Sequence, residues 1–259
     1  MPNWVTNVVK VTKNCKEFKE NFFVSGKEGE LVFDFNTIIP RPSDLLIMSG
    51  SDSYQYCDNQ QVKDLFIENY HDTDTQEEFV DRILLNLIKK NIPYYDTEEL
   101  KERELERVTN QAKGYYNLQK YGFEDWYDWS RENWGTKWNA CDTLILVDYE
   151  GELYFSFNTA WCTPENVYRK LASMGYEFTV AYADEDLGYN VGLIKTEDNN
   201  IVFRNLEEEE NHVFFTFAIQ NKSLYKDEII DNLANCEIEY TEKQIDEVIE
   251  ELKEFVPSY

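Results

Sequence analysis

Runs of β-branched and aromatic residues bounded by polar ones recur along the chain and predict a β-sheet. The clearest alternation is in residues 30–36, where Leu31, Phe33 and Phe35 are separated by mainly polar positions. Residues 143–148 are almost continuously apolar, which is typical of a central strand. Predicted strands span residues 4–12, 30–36, 143–148, 153–158, 178–183, 188–195, 201–205 and 212–220, with hairpin turns at 149–152 and 198–200.

Apolar residues at helical spacing separate several of these strands. Phe18 and Phe22 lie four positions apart after Asn14, a favourable residue for a helix N-cap. Thr163, followed by a proline, starts another helix, and Gly175 ends it. The predicted helices are a short one after Asn14 and longer ones over residues 77–90, 97–118, 163–174 and 241–255.

The order of these elements predicts an α+β fold, a ferredoxin-like antiparallel sheet with helices on one face. A long helical insertion interrupts this sheet, and a β-hairpin, a further strand and a helix extend it at the C-terminus. We assign residues 1–42 and 130–195 to the ferredoxin-like core and residues 43–129 to the insertion. Residues 196–259 form the extension, which we expect to pack on the core.

Acidic residues outnumber basic ones by 51 to 25, which gives a formal net charge of −26. Such a surface repels free nucleic acid and anionic membranes at long range and attracts basic partners. We therefore expect neither direct nucleic-acid binding nor membrane association. The acidic excess either serves solubility or imitates nucleic-acid phosphates. The run of glutamates at 207–210 is read first as a solvated loop and second as such a mimic.

Five widely spaced cysteines without a C-x-x-C pair indicate reduced thiols in a cytosolic setting. The first residues lack the basic and apolar regions of a signal peptide, and no 18-residue apolar stretch is present. The chain has two histidines and none of the phosphate-loop, dinucleotide, zinc-protease or nucleophile-elbow motifs. We therefore expect no cofactor, no metal and no enzymatic activity, although a hydrolase that uses carboxylates alone stays open.

Tryptophan, lysine and asparagine are concentrated in two segments, 134–139 and 158–161, that lie at the two ends of the predicted hairpin. Indole faces stack on purines, asparagine reads base edges, and lysine or arginine binds phosphate. The predicted ligand-binding residues are therefore Trp134, Lys137, Trp138, Asn139 and Trp161, together with Asn3, Trp4, Asn7 and Arg41 from the first two strands or just beyond them. The equally weighted alternative is an aromatic cluster that packs the insertion against the sheet.

A second polar motif follows the predicted strand at 178–183. Asp184 and Asp186 are two positions apart, so they can share a face and contact a ribose or a basic residue. Tyr189 and Asn190 complete this part of the candidate site. Three successive acids also suit Mg²⁺ or Ca²⁺, but neighbouring residues of a strand point to opposite faces. A solvated strand end is the favoured reading, and no metal is assigned.

Five motifs, taken in order, resemble a phage- and plasmid-borne family, the YubB-like group of ferredoxin-like-domain proteins of unknown function. The motifs are residues 2–7, 35–42, 134–140, 158–164 and 183–190, and the resemblance covers roughly residues 1–42 and 130–195. It implies a ferredoxin-like topology, without the clustered cysteines that an iron–sulfur cluster needs. It also implies a mobile-element protein in a bacterial cytoplasm, where such proteins counter host defence.

Two functional hypotheses follow. In the first, a non-enzymatic phage or mobile-element protein sequesters a small nucleotide-derived immune signal in a pocket lined by tryptophan, asparagine and lysine. In the alternative, an acidic protein binds and blocks a basic, nucleic-acid-binding host defence complex, as an anti-CRISPR or anti-restriction decoy does.

Overall fold

The computed structural model describes residues 3–90, 98–149, 151–204, 206, 212–236 and 238–257. The chain divides into two compact units. The sheet unit comprises Met1–Pro40 and Glu132–Tyr259, and the insertion unit comprises Arg41–Arg131. The sheet unit is therefore discontinuous in sequence, whereas the insertion unit is one continuous segment.

Within the described residues, strands and helices occur in mixed order along the chain. The strands are β1 (Trp4–Val11), β2 (Phe23–Ser25), β3 (Leu31–Phe33), β4 (Cys141–Tyr149), β5 (Glu152–Ala160), β6 (Phe178–Asp184), β7 (Gly192–Glu197) and β8 (Asn200–Arg204). The helices are α1 (Cys15–Phe22), α2 (Gln60–Asn69), α3 (Gln76–Lys89), α4 (Glu98–Tyr121), α5 (Trp126–Trp134), α6 (Glu165–Ser173), α7 (His212–Asn221), α8 (Lys226–Asn235) and α9 (Glu242–Leu252).

The main sheet has six antiparallel strands in the order β4-β5-β1-β6-β7-β8. Strands β1, β4, β5 and β6, with helices α1 and α6, follow the β-α-β-β-α-β plan of a ferredoxin-like domain. The predicted α+β, ferredoxin-like fold class is therefore confirmed. The predicted hairpins are also confirmed. The β7–β8 turn is made by Asp198 and Asn199 in left-handed conformations, which asparagine and aspartate adopt more readily than most residues.

One face of this sheet carries α1 and α6. Phe18 of α1 packs on Phe155 of β5, with ring centroids 5.9 Å apart. Tyr168 of α6 packs on Phe178 of β6, with ring centroids 5.8 Å apart. These aromatic contacts bury the apolar stripe of α1 against β5 and that of α6 against β6.

The opposite face carries the C-terminal helices, which belong to the extension and not to the ferredoxin-like core. Val8 and Ala181 of the sheet share one core with apolar residues of α7, α8 and α9. The predicted strand at 212–220 is helix α7. Residues Phe214–Ile219 of this helix are all buried. A helix that is buried on every side lacks the regular spacing of polar residues that would distinguish it from a buried strand in the sequence. Helix α8 was not predicted.

The segment predicted as a single strand at 30–36 also has a different structure. Its first part, β3, pairs with β2 in a separate two-stranded sheet. Residues Phe35–Thr37 form a 3-10 turn, in which the Asp34 carboxylate accepts a hydrogen bond from the Asn36 backbone N–H. Phe33 and Phe35 pack on Phe157, at centroid distances of 5.2 and 5.8 Å, so the segment packs on the main sheet rather than extending it.

The insertion unit is helical and has its own core of Phe66, Phe79, Tyr115 and neighbouring apolar residues. The helix predicted at 77–90 is confirmed as α3, which begins with a capping box between Thr75 and Glu78. Two predictions lie outside the described residues: the N-cap at Thr97 and the acidic run at 207–210. Within the described ranges, no helix has the length and apolar character that crossing a membrane requires.

Candidate functional site

The polar-aromatic segments meet at one end of the main sheet. Trp4 at the start of β1 pairs with Ala160 at the end of β5, and Val5 pairs with Asp184 at the end of β6. Residues 134–139 lead directly into β4, whose first residue, Cys141, pairs with Asn158. The sequence prediction that segments 134–139 and 158–161 approach each other therefore agrees with the strand register.

Trp134 is a core residue, so its predicted role as a pocket wall is corrected. Its side chain is fully buried, and the indole N–H donates to the Ile39 carbonyl oxygen at 2.9 Å. The ring packs edge-on against Phe35, with centroids 5.7 Å apart. A buried indole with an internal hydrogen-bond partner stabilises the fold and presents no face to a ligand.

Asn7 and Asn139 are also occupied inside the protein. The buried Asn7 amide oxygen accepts hydrogen bonds from the hydroxyls of Thr163, at 2.6 Å, and Tyr168, at 3.0 Å. The Asn139 amide oxygen accepts from the Phe35 and Ala140 backbone N–H groups, and its nitrogen donates to Asp34. Both side chains therefore join segments of the sheet unit, and their predicted role in reading a ligand is corrected.

A tight turn places the residues that follow Trp134. Gly135 has a φ of +84°, and a Cβ added there would lie 3.1 Å from the Glu165 backbone nitrogen, at the start of α6. The Thr136 hydroxyl donates to the Ala160 carbonyl oxygen at 2.9 Å. The positive φ and the close approach to α6 explain why this position is occupied by glycine. The turn holds the backbone beside the end of β5 and positions Lys137 and Trp138.

Lys137, Trp138, Trp161 and Trp4 form a group that we call the indole–lysine cluster. The Lys137 Nζ lies 4.7 Å from the ring centroids of both Trp138 and Trp161. Trp4 packs on Trp138 with centroids 5.7 Å apart. Trp161 is 40% exposed, and the other three side chains are partly buried. An ammonium group this close to two indole rings is within cation–π distance of both.

The backbone of Trp161 is held in an unusual conformation. Its φ is +71°, in the left-handed region that bulky residues seldom adopt. Its N–H donates to the Asn3 carbonyl oxygen at 2.9 Å, and its carbonyl oxygen accepts from the Asn190 side-chain amide at 3.1 Å. Strain of this kind persists where the surroundings fix it, and it is concentrated at functional sites.

Acidic and polar residues border the cluster. The Asn3 side-chain amide donates to the Asp186 carboxylate at 2.7 Å, and the Asp186 backbone N–H donates to the Asp184 carboxylate at 3.0 Å. Asp184 is buried, and its carbonyl oxygen accepts from the Gln220 side chain. Tyr189 is 73% exposed. Asp184 therefore stabilises the turn after β6, whereas Asp186 and Tyr189 are open to solvent.

Sequence reasoning missed the contribution of Gln220, because it placed that residue in a strand. Because residues 214–219 are buried on every side of the helix, no periodic signal in the sequence marked this segment as helical. Arg41, predicted to bind phosphate, belongs to the insertion unit, where its guanidinium donates to the Ser130 hydroxyl at 3.1 Å. The indole–lysine cluster consists of sheet-unit residues alone.

Burial shifts two ionisable side chains near the site towards their protonated forms. Burial raises the pKa of the Cys141 thiol, at the start of β4, so that the less nucleophilic protonated form is favoured. Burial also raises the pKa of the Tyr168 phenol far above its usual value. Among the described residues, no group of three or more histidine, cysteine and acidic side chains is arranged to hold a metal ion.

A groove of about 1150 Å³ lies at the other end of β1, between α1 and the β4–β5 turn. Three lysines line this groove, and each forms an ion pair. Lys13 pairs with Glu177, Lys16 with Glu20, and Lys19 with Asp148. Because acids neutralise these lysines, the groove is a poor candidate for an anionic ligand.

The sheet order and the paired helices define a ferredoxin-like domain. Residues 133–232 match the family model described as "Ferredoxin-like domain in Api92-like protein", and this range includes Lys137, Trp138 and Trp161. The range also extends beyond residue 195, where the predicted resemblance ended.

Among solved structures, the chain is similar to the crystal structure of a protein api92 from Yersinia pseudotuberculosis. The sequence identity is 11% and the TM-score is 0.39, and the match covers 80% of this chain and 100% of that chain. No curated protein matches the chain.

Proposed function

We propose that this protein is a non-enzymatic binding protein that holds a small nucleotide-derived ligand at the indole–lysine cluster. The observation that carries the proposal is the position of the Lys137 ammonium, 4.7 Å from two indole rings of which one is 40% exposed. Indoles stack on any base, and a lysine binds phosphate as a point charge. The cluster therefore combines the two contacts that a nucleotide requires.

Two further features support ligand binding at this place. The backbone of Trp161 is held on both sides by Asn3 and Asn190, so the point from which its exposed ring projects is fixed. A ring that is already ordered loses less conformational entropy when a ligand stacks on it. Asp186 and Tyr189 beside it offer an acceptor and an exposed aromatic ring for the rest of the ligand.

The proposed biological role is to sequester a nucleotide-derived immune signal of a bacterial host. This step depends on the resemblance of the sequence motifs to mobile-element proteins, which often act against host defence. A protein that binds the signal without cleaving it lowers its free concentration by mass action. The net charge of −26 opposes an anionic ligand at long range, so the proposal requires the local charge of Lys137 to prevail at contact.

Calorimetry with ADP-ribose and with cyclic nucleotides tests this function. Wild type is expected to bind one of these ligands, and Lys137→Ala and Trp161→Ala are each expected to weaken the binding about tenfold, because each removes one contact worth roughly 1–2 kcal/mol. Lys170→Ala is the matched control, since it removes the same charge from an exposed position on α6. Absence of heat with every ligand, or equal effects of the two lysine variants, would contradict the proposal.

Mass spectrometry of the ligand separates binding from catalysis. A bound nucleotide is expected to be recovered intact after the protein is denatured. Recovery of a cleaved product, at more than one equivalent per protein, would instead make the protein an enzyme that acts on nucleotides.

The acidic surface supports a second candidate function, the blocking of a basic host defence complex. Four carboxylates, from Asp246, Glu247, Glu250 and Glu251, lie with Lys243 on one outward face of α9, and the first three form ion pairs with lysines. A basic partner is expected to be retained by the immobilised protein from host lysate at low salt and released at high salt. Absence of basic proteins at either salt concentration rejects this candidate.

A further inference from the structure

Lys137 occupies the surface that the proposed ligand would need. Its ammonium lies 4.7 Å from the centroids of both Trp138 and Trp161. A base that stacks on these rings at van der Waals distance cannot share that space with the ammonium group. Binding at this cluster, which rests on the function proposed above, therefore requires the lysine side chain to move.

We infer that the base of the ligand takes the place of the Lys137 ammonium against the two indoles, and that the displaced ammonium then binds a phosphate of the same ligand. The ligand class that fits is a nucleotide, with a flat base and a phosphate within the reach of one lysine side chain. A nucleoside without phosphate displaces the ammonium and gains no ion pair in return, so it binds poorly.

The backbone contacts favour movement of the lysine over movement of the rings. Trp161 is fixed by Asn3 and Asn190, and Trp138 packs on Trp4. The turn before Lys137 is fixed as well, through the Thr136 hydroxyl. The lysine side chain itself is a flexible four-carbon stem. A partly exposed cation–π contact is weaker than base stacking on an indole, so a base can replace the ammonium against the rings.

Two variants separate the two roles of Lys137. Lys137→Ala removes the charge and empties the space against the rings. Lys137→Met also removes the charge, but its thioether can still pack on the indoles. Lys170→Ala is the control for the loss of one charge. Binding of ADP and of adenosine to each variant is measured by calorimetry and by NMR of the ¹⁵N-labelled indole N–H groups.

Lys137→Ala is expected to bind ADP at least threefold more weakly than wild type and adenosine at least threefold more tightly. Lys137→Met is expected to lose ADP affinity without gaining adenosine affinity, and Lys170→Ala is expected to match wild type. Indole signals of Trp138 and Trp161 should shift on binding. The signal of the buried Trp134, which donates to Ile39, should stay unchanged.

Other results contradict either the exchange alone or both the exchange and nucleotide binding. If Lys137→Ala weakens adenosine and ADP equally, the exchange is overturned while nucleotide binding at the site stands. If Lys137→Ala leaves ADP binding unaffected, binding at the indole–lysine cluster is overturned as well. If wild type binds neither of these two ligands, nor ADP-ribose or a cyclic nucleotide, the proposed function and the exchange are overturned together. Shifts at Trp134 instead of Trp138 and Trp161 would place the ligand elsewhere.

Discussion

At the scale of single residues, Asn7 is the polar centre of the sheet unit. It is fully buried in β1, where its amide nitrogen donates to the Val5 carbonyl oxygen and to the Thr159 hydroxyl, each at 3.0 Å. Its amide oxygen accepts from the hydroxyls of Thr163 and Tyr168. The network connects β1, β5 and α6 with every polar atom of Asn7 satisfied, which is the condition for a buried amide to be stable.

Asn7→Ala is predicted to lower the free energy of unfolding by about 2–4 kcal/mol, because it leaves buried hydroxyls without an acceptor and creates a cavity. Urea denaturation followed by tryptophan fluorescence measures this loss. Tyr168→Phe, which removes one hydroxyl from the same network, is expected to cost about 1 kcal/mol. A smaller loss for Asn7→Ala than for Tyr168→Phe would contradict the central position given to Asn7.

The sequence could predict which segments of the candidate site meet, but only in part which side chains face solvent. Pairing of the hairpin strands brings 134–139 and 158–161 together, but two irregularities in β4 shift the register, so that Cys141 pairs with Asn158. Trp134 and Trp138 look equivalent in the sequence, yet one is buried on Ile39 and the other lies in the cluster. Their orientations depend on partners about a hundred residues away, which local patterns do not specify.

At the scale of elements, turn chemistry was a better guide than apolar content. Gly175 correctly predicted the end of α6, and the turn at 198–200 predicted the β7–β8 hairpin. The predicted N-cap of α6, Thr163, is wrong by one residue, because Pro164 occupies that position and the Thr163 hydroxyl donates to Asn7. The apolar run of α7 was misread, since a buried helix and a buried strand have similar composition. The strand at 30–36 was assigned to the wrong sheet, because alternation of apolar and polar residues does not show which sheet a strand joins.

In the insertion unit, one carboxylate caps a short turn. Glu124 accepts hydrogen bonds from the backbone N–H groups of Tyr54 and Gln55, in the 3-10 turn Tyr54–Tyr56. Burial is nevertheless the larger influence and raises the pKa of this carboxyl above its usual value. The folded state therefore favours the protonated form.

The sign of the resulting pH dependence follows from that direction. The contribution of Glu124 to stability is complete below the usual glutamate pKa of about 4.3 and is lost as the pH rises through the higher folded pKa. Glu124→Gln keeps a hydrogen-bond acceptor and cannot ionise. We predict that its urea midpoint rises relative to wild type as the pH increases through this window.

Urea midpoints of both proteins over a pH series check this prediction. Glu106→Gln, at an exposed position on α4 of the same unit, controls for the loss of one charge. A difference between Glu124→Gln and wild type that stays constant with pH, or that favours wild type as the pH rises, would show that the backbone hydrogen bonds outweigh burial.

At the scale of the whole molecule, charge sets the response to salt. A net charge of −26 destabilises the folded chain through self-repulsion. Ion pairs such as Lys226 with Asp246 oppose this repulsion, but exposed pairs of this kind contribute little. Salt screens both interactions. Because the self-repulsion arises from the whole excess of negative charge, we expect that screening it stabilises the fold more than screening the ion pairs destabilises it.

We predict that raising NaCl from about 10 mM to about 0.5 M, where the screening length falls from roughly 30 Å to a few ångströms, increases the urea midpoint. An equal osmolality of an uncharged solute serves as the control. A midpoint that is unchanged or lower in salt would mean that the ion pairs outweigh the general repulsion.

The place of β1 in the sheet has a consequence for the order of events during synthesis. Strand β1 is synthesised before the rest of the main sheet, yet its neighbours are β5 and β6. Thr159, a hydrogen-bond partner of Asn7, follows 152 residues later in the chain. At about 5–20 residues per second, translation leaves β1 unpaired for roughly ten to thirty seconds. The insertion unit is continuous and is completed earlier, so it can fold while the sheet is still unfinished. Closure of the sheet is then a late, non-local step, of the kind that makes folding slow and leaves an unpaired strand exposed to chaperones.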